Sequence, residues 1–141
     1  NPAPARKINK DDFKFLDFFT PNETEAEFYL NKKIDTEQDI KNAAADFLNM
    51  GVKNIIITLG EKGSYFANEN EEYFINAFKL KNEVVDTTGA GDAFNGALAV
   101  ALAKDFSYKD AILFANKVAG ISTTRLGAAV SMPLLKKVEE Y

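Results

Sequence analysis

The sequence predicts an α/β fold built on a mostly parallel sheet in three layers. Three observations carry that class. Stretches with helical periodicity alternate with short apolar runs. The run Ile55, Ile56, Ile57 has no polar alternation, the pattern of a strand covered on both faces. Glycine-bearing turns follow the apolar runs, and ligands in such sheets gather beyond the C-terminal ends of the strands.

The elements follow in order. The opening "NPAPARK" reads as an extended loop, because each proline biases the residue before it away from helix. It has no initiator methionine, so the chain is expected to be part of a longer one. "FLDFFT" (residues 15–20) predicts a strand stopped by Pro21, and "PNETEAEFYL" opens a helix. Over residues 36–50, Ile40, Ala43, Ala44, Phe47 and Leu48 keep the spacing of one helical face, closed by Gly51. "KNIIITLG" is the buried strand. "GSYFAN" and "EYFINAF" predict a hairpin of more exposed strands, with "NENEE" as its solvated tip. Phe94, Ala97, Leu98, Ala101 and Leu102 mark a helix after a glycine-rich loop. Another runs over residues 107–122, with Ser107 as N-cap and Ala111, Phe114, Ala115 and Val118 inward. A loop, "TTRLGAAVSMP", leads to a short last helix from Pro133.

Composition narrows the chemistry. The chain contains no cysteine and no histidine. Disulfides, thiolate nucleophiles, Cys/His metal sites and Ser-His-Asp arrangements are therefore excluded. What remains is carboxylates, hydroxyls, lysine, arginine, backbone groups and hard cations. A net charge of -4 argues against a nucleic-acid or anionic-membrane surface. The absence of disulfides fits a reducing, cytoplasmic setting.

The stretch "DTTGAGDAFNG" is the strongest candidate for chemistry. Gly89 and Gly91 permit positive φ and close approach to the backbone. A helix starting near Gly91 presents free N–H groups and the positive end of its dipole, an anion hole. Asp92 then falls in the first turn. Phosphoryl transfer, whose attacking hydroxyl loses its proton late, asks only for a well-aimed carboxylate there. A tight turn with Asp92 merely completing a helix terminus is the alternative reading. Asn22 and Glu25 have capping-box spacing; they also suit a phosphate contact and a water-mediated Mg²⁺ ligand. "TLGEKG" (residues 58–63) is either an ordinary turn or the edge of a nucleotide pocket. Gly127 and Arg125 fit a helix stop, or a ring of carbonyls that with Asp86 holds a monovalent cation.

Taken in order, "NPAPA", "TPNETEAE", "ITLGEKG", "DTTGAGDAFNGAL" and "TRLGAAVSMP" resemble the ribokinase-like carbohydrate kinase family over almost the whole chain. "DTTGAGDAF" is specific to the wider family, and "NPAPA" with "TPNETEAE" points to its ribokinase branch. The resemblance implies the three-layer ribokinase-like fold. Residues 1–141 would form the C-terminal, nucleotide-binding portion of a single domain, without the N-terminal half and its lid. It implies transfer of the ATP γ-phosphate to the 5-hydroxyl of D-ribose. By position, Asp92 matches the catalytic base, and Gly89, Ala90 and Gly91 match the anion hole. Asn22 matches a phosphate contact, Glu25 an Mg²⁺ organiser, and Asn116 a residue near adenine. Thr58, Leu59, Gly60, Glu61, Lys62 and Gly63 match the nucleotide border. An activating K⁺ site maps to the Asp86 side chain, the carbonyls of Thr88, Ser122, Arg125 and Gly127, and Ser131.

The same resemblance implies that the complete protein pairs as a homodimer through the absent lid. It also implies that the isolated chain has little or no kinase activity and exposes an apolar sheet edge. Two further readings stand beside it. One is a sister kinase for fructose, a nucleoside or another small alcohol. The other is a catalytically silent nucleotide-binding module. A dinucleotide-binding domain is disfavoured, since the glycine spacing is wrong for it.

Overall fold

A computed structural model describes all residues 1–141, which divide into two compact units, Asn1–Phe74 and Ile75–Tyr141. In the first unit the chain enters a 3-10 helix, Lys10–Phe15, whose N-cap Asn9 accepts from the Asp11 N–H. This corrects the strand expected from residue 15. Phe15 ends the 3-10 helix and is 73% exposed, and only Phe18–Phe19 form strand β1. Two aspartates in the first turn, Asp11 and Asp12, favour the helical start over extension.

Helix α1 (Glu23–Leu30) begins at a complete capping box. Helix α2 (Glu37–Asn49) has a second one, Thr36 with Asp39. Just past α2, Gly51 has φ +101°, and a Cβ there would stand 2.8 Å from Lys14 Cβ, so glycine is required twice over. Strands β2 (Asn54–Thr58), β3 (Ser64–Asn68) and β4 (Glu72–Ile75) complete a sheet of order β1-β2-β3-β4. The sheet is mixed: β1 pairs parallel to β2, and β2 pairs antiparallel to β3.

The three isoleucines of β2 are fully buried, as their uninterrupted apolar run predicts. Ile55 and Ile57 join Phe13, Phe19, Phe47 and Tyr65 in one core cluster. Ile56 lies on the other face by the period-two rule and is equally buried. Phe19 meets Phe13 and Phe47 edge-on, with ring centroids 5.3 and 5.1 Å apart. The hairpin expectation needs a correction. β3 is interior rather than exposed, with Ser64, Tyr65, Phe66 and Ala67 all buried, because it lies between β2 and β4 and packs on α2. The tip, Glu69 to Glu72, and Phe74 of β4 face solvent as expected, while Ile75 at the end of β4 is buried.

The second unit is built on two packed helices, α3 (Ala90–Leu102) and α4 (Tyr108–Ser122). Their buried faces are rich in alanine (Ala93, Ala97 and Ala101 against Ala111 and Ala115), which lets helices approach closely. Ser107 caps α4 by accepting from the Asp110 N–H, as its position predicts. Phe114 is only half-buried, and Ile112 and Ile121 take more of the inward face. A 3-10 turn (Ala129–Ser131) and α5 (Leu135–Glu139) finish the chain. The last helix starts two residues after the expected Pro133, with Leu134 extended before it.

Candidate functional site

The glycine-rich stretch folds into a turn that delivers the chain into α3. Gly89 is the N-cap, left-handed at φ +79°, so the helix begins at Ala90, one residue before the expected Gly91. A Cβ on Gly89 would meet Ala128 Cβ at 3.1 Å and Ala128 Cα at 3.2 Å. The loop after α4 is therefore pressed against the turn, and only glycine fits between them. Gly91 differs. It is helical, exposed, and would have nothing within 4 Å of an added Cβ. Its first-turn N–H has no acceptor within the helix. Bare backbone, open space and the positive end of a 13-residue helix dipole thus coincide at one point.

Asp92, exposed in the same turn, lines a cavity of about 580 Å³ in the second unit. The remaining walls are mostly apolar side chains of α3, α4 and α5, including Val100, Phe114, Val118 and Leu135. Lys104, Lys117 and Glu139 are the other charged groups there. Such walls do not offer the convergent hydrogen-bonding groups that would select a sugar.

In the first unit the structure joins two segments that the sequence keeps 36 residues apart. An isolated parallel bridge pairs Asn22 with Thr58, and the Thr58 N–H donates to the Pro21 carbonyl at 2.9 Å. The N-cap of α1 and the end of β2 are thus neighbours. Asn22 and Glu25 form the full box. The Asn22 Oδ1 accepts from the Glu25 N–H, and the Glu25 Oε2 accepts from the Asn22 N–H, both at 2.8 Å. The capping reading is therefore correct. It also leaves the Asn22 side-chain amide donors and the second Glu25 oxygen outside the box. Beyond Thr58, Leu59 is buried, and Gly60, Glu61 and Lys62 form an exposed 3-10 turn. Gly60 and Gly63 both have positive φ, +57° and +102°, and the turn closes with the Leu59 N–H donating to the Gly63 carbonyl at 2.8 Å.

The expected end of the helix at residue 122 is borne out, and the alternative stop at Gly127 is corrected. The helix ends at Ser122, with Thr123 as C-cap, and Gly127 (φ +93°) turns the chain further on. Three successive hydroxyls terminate it instead. Ser122, Thr123 and Thr124 donate to the carbonyls of Ala119, Gly120 and Ile121 at 2.7, 2.7 and 2.8 Å. That hydroxyl run was the signal in the sequence, and a glycine-based rule overlooks it. Ser131 likewise donates to the Ala128 carbonyl at 2.7 Å.

Asp86 ties this loop to the glycine turn. Its Oδ1 accepts from the Thr88 N–H at 2.9 Å and its Oδ2 from the Gly127 N–H at 2.8 Å. The Thr88 hydroxyl, then the Thr88 and Gly127 backbone N–H groups, hold its carboxyl below the usual carboxylate range. The Val85 and Asp86 N–H groups both donate to the Thr123 carbonyl, at 2.8 and 3.1 Å.

These residues fit cation chemistry to different degrees. No group of three or more acidic, histidine or cysteine side chains forms a metal cage. Mg²⁺ at Glu25 would need phosphate oxygens and water for most of its shell, its ordinary habit. For a monovalent cation, the Ser131 hydroxyl proton is already committed to the Ala128 carbonyl, so its oxygen is left as an acceptor. Arg125 is exposed, as is Thr88, and Asn116 is buried on α4. No helix is long and apolar enough to cross a membrane. Sequence reasoning missed Asn95, whose side-chain amide donates to the Gly91 carbonyl at 2.8 Å. Its position one turn past Gly91 was the available sign.

The chain is similar to known proteins of one family. The pfkB family carbohydrate kinase model matches residues 10–135. Ribokinase of Staphylococcus aureus (strain COL) is 41% identical over 141 residues, 99% of this chain and 46% of that protein. Deoxyribokinase of Salmonella typhi is 37% identical, over 100% of this chain and 46% of its own length. The structure of Arabidopsis thaliana ribokinase complexed with ribose and ATP superposes with a TM-score of 0.89 at 34% identity, covering 94% of this chain and 43% of that one. The chain thus spans about half the length of the curated relatives it matches.

Proposed function

The chain belongs to the pfkB carbohydrate kinase family, and on that premise we propose that it supplies the ATP-handling, phosphoryl-transfer part of a sugar kinase. D-ribose is the proposed acceptor, at its 5-hydroxyl. The observation that carries this reading is the first turn of α3. It has open backbone at Gly91 and a carboxylate, Asp92, that borders a cavity. Gly89, Ala90 and Gly91 form the anion hole; the Ala90 N–H already donates to the Thr87 carbonyl at 3.1 Å, so the Gly91 N–H is the donor that receives charge growing on the transferring group. Asp92 is the base. It aims the acceptor hydroxyl and takes its proton late in the transfer, while the new O–P bond forms and the bond to ADP breaks.

The other assignments follow the same division. Asn22 contacts the ATP phosphates through the amide donors its capping bond leaves over. The second Glu25 oxygen helps to organise Mg²⁺, which when bound neutralises phosphate charge. Residues 58–63 and Asn116 border the nucleotide. Asp86, the carbonyls of Thr88, Ser122, Arg125 and Gly127, and Ser131 hold K⁺, which steadies the loop beside Gly89. Residues 1–141 act as the nucleotide-binding portion of one domain. The native enzyme is a cytoplasmic homodimer.

A sister acceptor is a specific second reading, because the apolar cavity walls carry little sugar-selecting chemistry and one relative is named a deoxyribokinase. The test is transfer of γ-labelled phosphate from ATP to a panel of D-ribose, 2-deoxy-D-ribose, fructose and nucleosides by the native polypeptide. Label on the ribose 5-hydroxyl, at the highest kcat/KM of the panel, is expected. Preferential labelling of another alcohol would reassign the acceptor, and no labelled alcohol at all would refute the kinase reading.

A further inference from the structure

The first turn of α3 carries a conflict. Gly91 leaves its surroundings open for a ligand, yet glycine is among the poorest residues for holding a helix together. Gly89, immediately before the helix, offers no side-chain cap. A turn with two glycines and no capping side chain should fray, and a frayed turn aims its N–H groups poorly.

Asn95 answers that conflict. It stands one helical turn after Gly91, half-buried, and its Nδ2 donates to the Gly91 carbonyl at 2.8 Å. That carbonyl is also the regular acceptor for the Asn95 backbone N–H of the helix. Two donors from one residue therefore hold the same peptide group. The Gly91 carbonyl shares its peptide plane with the Asp92 N–H. Loading the carbonyl fixes the direction of that N–H and, through polarisation along the amide, makes it a better donor.

We propose that Asn95 is a positioning residue that pins the Gly91–Asp92 peptide and thereby pre-organises the phosphate-receiving turn. This rests on the reading that the turn receives phosphate. Asn95 acts through the Gly91 carbonyl. The pin substitutes for the side-chain cap that Gly89 cannot provide, so the turn stays both open and ordered.

The experiment uses the isotopically labelled native polypeptide and three variants: Asn95→Leu, which keeps the branched outline but has no donor, and Asn95→Ser and Asn95→Thr. Serine and threonine hydroxyls in helices can donate to the carbonyl four residues back, so they return a donor to Gly91. The first readout is the amide order parameter of Asp92, whose N–H lies in the pinned peptide, and it needs no ligand. It should fall from the rigid-backbone value of about 0.85 toward about 0.6 in Asn95→Leu and recover in Asn95→Ser or Asn95→Thr. The second is the affinity for inorganic phosphate, read from the Gly91 and Asp92 amide resonances. It should weaken roughly three- to ten-fold in Asn95→Leu, the range expected for one hydrogen bond, and recover with the hydroxyl variants.

An unchanged Asp92 order parameter in Asn95→Leu would overturn the proposal, as would a loss that neither hydroxyl variant restores. If the unaltered polypeptide gives no phosphate response while Asn95→Leu still loosens the Asp92 amide, the pin stands and the phosphate reading falls. The two failures are thus distinguishable.

Discussion

Two glycines two residues apart should answer the same substitution in opposite ways. Gly89→Ala places a Cβ in the left-handed region, at about 1–2 kcal/mol. The same Cβ meets Ala128 Cα at 3.2 Å, a backbone atom that cannot swing aside. Overpacking of that kind costs about 1–3 kcal/mol. Loss of glycine's freedom in the unfolded chain returns about 0.4–1 kcal/mol. Gly89→Ala should therefore destabilise the fold by about 2–4 kcal/mol. Gly91→Ala meets no atom within 4 Å and sits in a helix, where alanine is favoured by about 0.5–1 kcal/mol. It should leave stability unchanged or raise it. In urea, with a slope of about 2 kcal/mol/M, the two midpoints should differ by about 1–2 M. The functional order is different, since a methyl at Gly91 intrudes on the open backbone and should lower kcat/KM for ATP in the native polypeptide while the fold gains. Equal midpoints for the two variants would refute the packing account. Full activity in Gly91→Ala would refute the open-backbone account.

Three further outcomes follow from the same geometry. Asn22→Ala should destabilise the chain by about 0.5–2 kcal/mol through loss of the cap, measured by chemical denaturation. Asn22→Ser keeps a capping oxygen and most of that stability but loses the amide donors, so a raised KM for ATP is expected. An unchanged KM would leave Asn22 as a cap alone. Asp86 has a native pKa below its unfolded value, so its stabilisation is fully present above the unfolded value of about 3.9 and is lost as pH falls through the lower native value. The gap in urea midpoint between the unaltered chain and Asp86→Asn should accordingly be flat at neutral pH and shrink under strong acid. A gap that grows on acidification would contradict the clamp. Replacing K⁺ by Na⁺ in assays of the native polypeptide should lower turnover, and equal turnover in both salts would refute the cation assignment at Asp86.

Much of this fold is legible in the sequence, for identifiable reasons. Residues 37–49 and 90–102 carry helical spacing strong enough to fix both helices, and Asn22 and Ser107 mark the starts of α1 and α4 through capping chemistry. The isoleucine run reads as a buried strand because no polar residue interrupts it. Phe15 misleads because its apolar character continues a strand pattern, while the local Asn9-Asp11-Asp12 signal selects a 3-10 turn. β3 misleads because its burial comes from its place in the sheet, and strand order is not written in its own residues.

The candidate site is legible in part. Glycine positions and the carboxylate in "DTTGAGDAFNG" point to the turn, since the need for positive φ and open backbone is expressed locally. The sequence does not reveal that Asn22 and Thr58 are bridged neighbours, because their parallel pairing depends on a crossover of 36 residues. Nor does it reveal the Asp86 contact with Gly127, which spans 41 residues. Gly127 reads as a helix stop, whereas hydroxyls at Ser122, Thr123 and Thr124 end the helix earlier.

The central claim is that Asp92 takes the proton of the attacking hydroxyl beside an anion-receiving turn. Its most direct test is Asp92→Asn in the native polypeptide, comparing kcat for phosphoryl transfer with equilibrium binding of ATP. A fall in kcat of about 10²–10⁴ with ATP affinity retained is the expected result. Turnover within two-fold of the unaltered enzyme, with ATP still bound, would contradict it.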